Sequence, residues 1–153
     1  MDDDLSALSQ HALQTAEAGG VLLRGVWVEA GVINVLILDD VQARHHLIGS
    51  TLERKFGSAQ VTIHSVYDKE AALTALCSQD YDLIYLDHDL GDGSREVSGA
   101  HVAKFLSEHP DCQRQAKIIV HSMNPPGANR MLGWLKDRPK VRYIPFALLV
   151  PHA

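Results

Sequence analysis

The chain has little of what would tie it to a membrane, a thiolate metal cluster or a polyanion. It carries two cysteines in 153 residues. Cys77 and Cys112 share no metal-type spacing, which leaves reduced thiols serving as buried filler in a cytosolic protein. Positive charge is scarce too: 14 Lys and Arg face 19 Asp and Glu, a formal charge of −5. That balance excludes a broad nucleic-acid surface, though one local site for a small phosphorylated ligand or an RNA end needs only a few cations. Long apolar runs are missing. Residues 21–28 are interrupted by Arg24 and too short to span a bilayer, so no membrane partner is expected. The acidic start Met1-Asp2-Asp3-Asp4 is unlike a signal peptide. No repeat, low-complexity tract or linker divides the chain. The expectation is one soluble, cytoplasmic domain with a full core.

Three short stretches end an apolar run with acid, amide or imidazole groups. They are Leu36-Ile37-Leu38-Asp39-Asp40, Leu83-Ile84-Tyr85-Leu86-Asp87-His88-Asp89 and Ile118-Ile119-Val120-His121-Ser122-Met123-Asn124. About four apolar residues in a row read as a strand buried on both faces of a parallel sheet. Strands are expected over residues 32–38, 61–66, 82–86, 117–120 and 141–144. Helices are expected over 41–56, from a cap at Asp68 to about Ser78, from Ser98 to before Pro110, and over 128–136. Asn124-Pro125-Pro126-Gly127 reads as loop, because prolines cannot continue a strand ladder. Residues 5–18 have helical spacing closed by Gly19-Gly20, and 21–29 read as a strand or the approach to one. The organisation is thus an N-terminal helical extension, 1–31, and an α/β domain, 32–153. The alternation predicts a doubly wound, flavodoxin-like five-stranded parallel sheet, order 2-1-3-4-5, whose ligand crevice lies beyond the carboxyl ends of the strands. Too few residues follow Pro145 for a normal last helix, and the N-terminal helix is expected to cover the face it leaves.

Three reactive tips on one sheet converge on one crevice. Asp39, Asp40, Asp87 and Asp89 form an oxygen-rich, thiol-free set suited to Mg²⁺ or Mn²⁺, with Asp89 either joining the metal or tuning His88. One of Asp39 and Asp40 is expected to cap the following helix instead. His88 and His121 titrate near neutrality and suit a base and acid for phosphate-ester cleavage, in an order the spacing does not assign. Ser122, Asn124 and Asn129 offer neutral donors for a phosphate, Asn129 by standing near a helix start. Arg44 lies one helical turn beyond Asp40 and is the remaining candidate substrate contact. His45, His46, His64, His101 and His109 receive no functional placement.

At these residues the chain resembles the receiver superfamily, the phosphoacceptor domains of two-component signalling. Asp39-Asp40 is similar to the acidic pair after the first strand, Asp87 to the phosphoacceptor and Ser122 to the hydroxyl residue after the fourth strand. The likeness spans residues 32–146. It departs at Tyr143-Ile144-Pro145-Phe146, where Ile144 takes the slot of the receiver lysine that pairs with a bound phosphoryl. That departure argues against phosphorelay signalling. Leu86-Asp87-His88-Asp89-Leu90-Gly91, His121-Ser122-Met123-Asn124 and Gly127-Ala128-Asn129-Arg130-Met131 resemble instead the cyclic-phosphate processing receiver-like family. That resemblance implies a phosphoesterase for cyclic phosphates of nucleotide or RNA-end type. The alternative is a degenerate receiver that serves as a non-catalytic protein-interaction or ligand-sensing module.

Overall fold

The computed structural model describes residues 20–23, 26–29, 31–90 and 99–149. Strands β1 (Gly20–Leu23) and β2 (Val26–Glu29) pair antiparallel as a two-stranded sheet of their own. The stretch read as a strand or the approach to one therefore holds two antiparallel strands. The helix expected over 5–18, the Ser98 helix start and the loop at 91–94 lie outside the described residues.

From β3 (Ile33–Leu38) the chain alternates: α1 (Gln42–Phe56), β4 (Val61–Val66), α2 (Lys69–Ser78), β5 (Leu83–Leu86), α3 (Gly99–Glu108), β6 (Lys117–Val120), α4 (Pro125–Leu135) and β7 (Val141–Tyr143). The five strands from β3 onward form one parallel sheet in the order β4-β3-β5-β6-β7. That is the 2-1-3-4-5 flavodoxin-like order. The expected missing last helix is a single turn, α5 (Phe146–Leu149).

Burial explains why the central strands read as unbroken apolar runs. Every residue of β5 and β6 is buried, and all but Asn34 of β3. Alternate side chains feed two cores. Leu36, Leu38, Ile84, Leu86, Ile118 and Val120 pack with residues of α2, α3 and α4 on one face. Val35, Ile37, Leu83, Tyr85 and Ile119 pack with Ile48, Leu52 and Phe56 of α1 on the other, where Phe146 and Leu149 of α5 also pack. The edge strand β4 alternates between buried and exposed, as a strand with one wet side does. Asp68 caps α2 as expected, accepting from the Ala71 N–H at 2.8 Å. The cysteines do not match expectation: Cys77 is exposed and Cys112 half-buried. Among the described residues no helix is long and apolar enough to cross a membrane.

One boundary differs in a way that matters. Asn124-Pro125-Pro126-Gly127 is the first turn of α4 rather than a loop, with Asn124 as N-cap and prolines at the first two helical positions. Proline suits those positions because their N–H groups would be unpaired in any case.

Candidate functional site

The register builds the site. Leu38, Leu86 and Val120 are aligned across β3, β5 and β6, and Tyr143 of β7 pairs with Val120. The ladder continues one residue further: Asp87 N–H donates to Leu38 O, His121 N–H to Leu86 O, and Ile144 N–H to Val120 O, at 2.9–3.0 Å. Asp39, Asp87, His121 and Ile144 are thus the first residues beyond four neighbouring strands. They stand at the carboxyl edge, around the β3/β5 point where the winding direction reverses.

Three of them meet. Asp39, Asp87 and His121 each offer one ligand atom, all within 4.8 Å of one another, and all three residues are buried. Asp39 Oδ1 accepts from the Val41 N–H at 2.8 Å, and Oδ2 lies 2.9 Å from His121 Nε2. Arg44, reaching in from α1, places Nη1 3.5 Å from an oxygen of Asp39 and 3.5 Å from one of Asp87. Its guanidinium lies 5.1 Å from the Phe146 ring centre. From beneath, His45 Nε2–H donates to the Asp39 carbonyl at 2.7 Å.

Electrostatics separates the two buried acids. Burial alone would raise the Asp39 carboxyl. The His121 hydrogen bond, the Val41 N–H and nearby positive charge outweigh it and hold the group below its ordinary value. Asp87 has only the Arg44 charge at 3.5 Å and the His88 N–H at 2.9 Å in its favour. Burial, reinforced by the charge of Asp39, pushes it up to about 7. Burial also lowers His121, more than the Asp39 bond raises it. The pair is therefore a neutral imidazole donating from Nε2 to a carboxylate, and His121 Nδ1 is left buried without a partner.

His88 makes a second unit beside the first. Its Nδ1 lies 2.8 Å from Asp89 Oδ1, and Asn124 Nδ2 donates to the same oxygen at 3.3 Å. The His88 bond, the largest influence on Asp89, keeps that acid low. With Nδ1–H donating, Nε2 is left as the acceptor, a buried atom without a partner among the described residues. The ring rests on the first turn of α4: a Cβ on Gly127 would come within 2.5 Å of it. Gly99, at the start of α3, is as constrained, since a Cβ there would meet the Asp87 carbonyl oxygen at 1.8 Å.

The structure thus brings together Asp39, Asp87, His121 and Arg44, and next to them His88, Asp89 and Asn124. The expected four-acid set is divided. Asp40 is exposed, because it lies one residue past the ladder. Asp89 is engaged by His88 rather than gathered with Asp39 and Asp87. Neither Asp39 nor Asp40 caps α1, whose N-cap is Val41 without a side-chain bond. Ser122 is buried, and its Oγ accepts from the Asn124 N–H at 3.0 Å. Asn124 Oδ1 accepts from the Gly127 N–H at 3.2 Å.

The expectation for Asn129 rested on a helix start, and the earlier start of α4 removes it. Asn129 is exposed in the second turn. The true first turn has no donors to spare: Pro125 and Pro126 have no N–H, Gly127 is bonded to Asn124 Oδ1, and Ala128 N–H bonds Asn124 O at 2.8 Å. Residues without any functional signal in the sequence also take part. His45 holds the Asp39 backbone, and Tyr143 OH donates to Ser122 O at 3.0 Å. Both act through main-chain carbonyls, which leave no mark in a motif.

A family model described as the cyclic-phosphate processing receiver domain matches residues 34–137, more than half of the chain. No curated protein matches. Several solved structures share the fold. One is a CheY-like receiver domain from Methylobacillus flagellatus, 23% identical, covering 78% of this chain and 93% of that one, with a TM-score of 0.55. Another is the phosphorylated cyanobacterial phytochrome response regulator RcpA, 19% identical, covering 75% of this chain and 81% of that one, with a TM-score of 0.60. A third is a Burkholderia pseudomallei response regulator with a phosphorylated aspartic acid, calcium ion and citrate. It is 20% identical, covers 76% of this chain and 66% of that one, and has a TM-score of 0.55. At these identities the likeness is one of fold. The family match, on a receiver sheet whose strand tips carry Asp39, Asp87 and His121, shows that the chain belongs to the cyclic-phosphate processing receiver family.

Proposed function

We propose that the chain is a metal-assisted phosphoesterase that opens a cyclic phosphate of nucleotide or RNA-end type at the carboxyl edge of the sheet. The observation that carries this reading is the meeting of Asp39, Asp87 and His121, with ligand atoms within 4.8 Å, beside an imidazole held by its own acid. The donor set fits a small hard cation: two buried carboxylates in one crevice repel, and burial already pushes one of them up to about 7. Asp39 and Asp87 would hold Mg²⁺ or Mn²⁺, with Asp40 in reserve at the rim. The calcium ion of the Burkholderia regulator is consistent with such a site on this fold. When bound, the ion would neutralise charge on the phosphate oxygens.

The chain's own groups supply the proton transfers. His88 is the working base in this reading. Its side chain is 13% exposed against 0% for His121, and a bond from Nδ1–H to Asp89 leaves the buried Nε2 as the acceptor. It takes a proton from the attacking water as the new P–O bond forms. The ring P–O bond breaks, and the His88 imidazolium gives its proton, directly or through one water, to the departing oxygen, which leaves as an alcohol while the ring returns to neutral. His121, assigned above as the partner acid or base, acts here by orienting Asp39. Arg44 shifts from the two acids to the phosphate, the charge that the residue at Ile144 does not supply. Ser122 and Asn124 set the loop that carries His121 and steady Asp89.

The test is hydrolysis of 2′,3′-cyclic nucleotides and ADP-ribose cyclic phosphate with and without Mg²⁺ or Mn²⁺. Turnover that needs the ion, and that falls by about a hundred- to ten-thousand-fold in His88→Ala, is expected. No turnover, together with labelling of Asp87 by acetyl phosphate, would return the chain to signalling. Neither turnover nor labelling would make it a binding module.

A further inference from the structure

A groove of about 370 Å³ runs between α1 and β4, away from the acids but joined to them. Among its lining residues are Gln42, His45, His46, Ser50, Ser65 and Tyr67. The volume is within the range of small-molecule sites. Two links tie it to the reaction centre. His45 donates to the Asp39 carbonyl at 2.7 Å, and the Asp39 N–H bonds Val66 O at 3.2 Å, which sets Tyr67 beside Asp39 at the same edge.

The lining says what kind of group belongs there. No Lys or Arg lines the groove, whereas Glu53 does, so it does not suit a phosphate. Rings and short polar groups dominate. Tyr67 packs on His45 with ring centres 4.3 Å apart and planes inclined by 38°, while Tyr67 itself is 42% exposed. The phenol thus packs on an imidazole while much of the residue stays exposed. His45 is only 5% exposed, and with Nε2–H donating to Asp39 its Nδ1 has no partner among the described residues. That is an unmatched acceptor on a buried ring of the groove. Gly49 keeps the floor low, since a Cβ there would already touch Ile63 Cδ1 at 3.0 Å.

We infer that this groove binds the base of a nucleoside whose cyclic phosphate lies over Asp39 and Asp87, with Tyr67 as the stacking platform. Gln42, His46, Ser50 and Ser65 meet the polar edge of the base. The inference rests on the proposed phosphoesterase reading for the position of the phosphate, but not for the occupancy of the groove. The base can belong to a free cyclic nucleotide or to the last residue of an RNA.

Stacking of a base on an aromatic ring is commonly worth about tenfold or more in affinity. The experiment has three arms. In the first, free ribonucleosides are titrated into the whole protein and followed by backbone amide NMR. Shifts at Gly49, Ser65 and Tyr67 are expected, kept in Tyr67→Phe and weakened about tenfold in Tyr67→Ala. In the second, KM for 2′,3′-cyclic nucleotides is compared with KM for glycerol cyclic phosphate, which has no base. Tyr67→Ala is expected to collapse the preference for the nucleotide, with the change in KM rather than kcat. In the third, a short RNA with a 2′,3′-cyclic end is compared with the mononucleotide. A lower KM for the RNA assigns an RNA end, and an equal or higher one a free nucleotide. Nucleoside binding without turnover of any cyclic phosphate would leave the groove standing and remove the phosphoesterase. Turnover with no preference for the nucleotide, and no nucleoside shifts at the groove, would overturn the groove alone.

Discussion

At Asp87 a single carboxyl records the tension in the crevice. Its value in the folded chain is raised from 3.8 to about 7, so the folded state keeps a proton that the unfolded chain sheds. Its contribution to stability is complete below about pH 4 and is lost as pH rises through about 7, an upper bound on the order of 4 kcal/mol. His121 works the other way: its lowered value gives stability above the ordinary histidine range and loses it in acid. The two slopes oppose each other below about pH 6.5, so the informative quantity is a difference. In metal-free buffer, Asp87→Asn is expected to outlast the parent in urea by a margin that widens from about pH 5 to about pH 8. A margin that stays flat would mean the acid is not strained. Gly127 offers a cleaner test of His88. Alanine there would force the ring away by contact at 2.5–2.7 Å, and a tenfold or greater loss of kcat with circular dichroism unchanged is the expected outcome. The sequence displayed both imidazoles and the inner acids. It could not tell Asp39 from Asp40, or the role of Asp89, because direction beyond a strand end is set by the loop and not by the period of the strand.

Among the elements, β3, β5 and β6 were legible almost to the residue because both of their faces are covered, which forces an unbroken apolar run. The two N-terminal strands were less so, since only Arg24-Gly25 separates two short apolar runs, a weak turn signal. The start of α4 was missed for a physical reason: proline breaks a ladder inside an element but is welcome at the head of a helix. That head is also where its stability is testable. Asn124 accepts from the Gly127 N–H and donates to Asp89, so Asn124→Ala removes a cap and a support for the His88 unit together. A loss of about 1 kcal/mol in chemical denaturation is expected from the cap. Asn124→Asp would keep the cap but set a second carboxylate against Asp89, so it should keep stability better than activity.

For the molecule as a whole, the sheet order and the crevice followed from the alternation of apolar runs, while the groove on α1 and β4 did not. Its walls come from His45, His46 and Tyr67, residues with no common motif, united only by a helix lying against an edge strand. The divalent ion links the site to global stability. A ligand that binds only the folded chain stabilises it by about 2.7 kcal/mol at a hundredfold excess over Kd, or about 5–10 °C in Tm for a chain of this size. A rise of that order with Mn²⁺ or Mg²⁺, reversed by EDTA and absent in Asp39→Asn, is the expected outcome in differential scanning fluorimetry. No rise at millimolar ion would count against a resident metal.

The two prolines that open α4 have a further consequence for the order of events. They strip the first turn of that helix of amide donors that an anion could otherwise use, and Arg44 is held between two acids. Among the described residues, an arriving phosphate then meets no spare attraction in the crevice until a cation has settled there. Loading should therefore be compulsory in sequence, ion before ester, and inorganic phosphate should fail to protect the apo protein at any concentration that protects the loaded one.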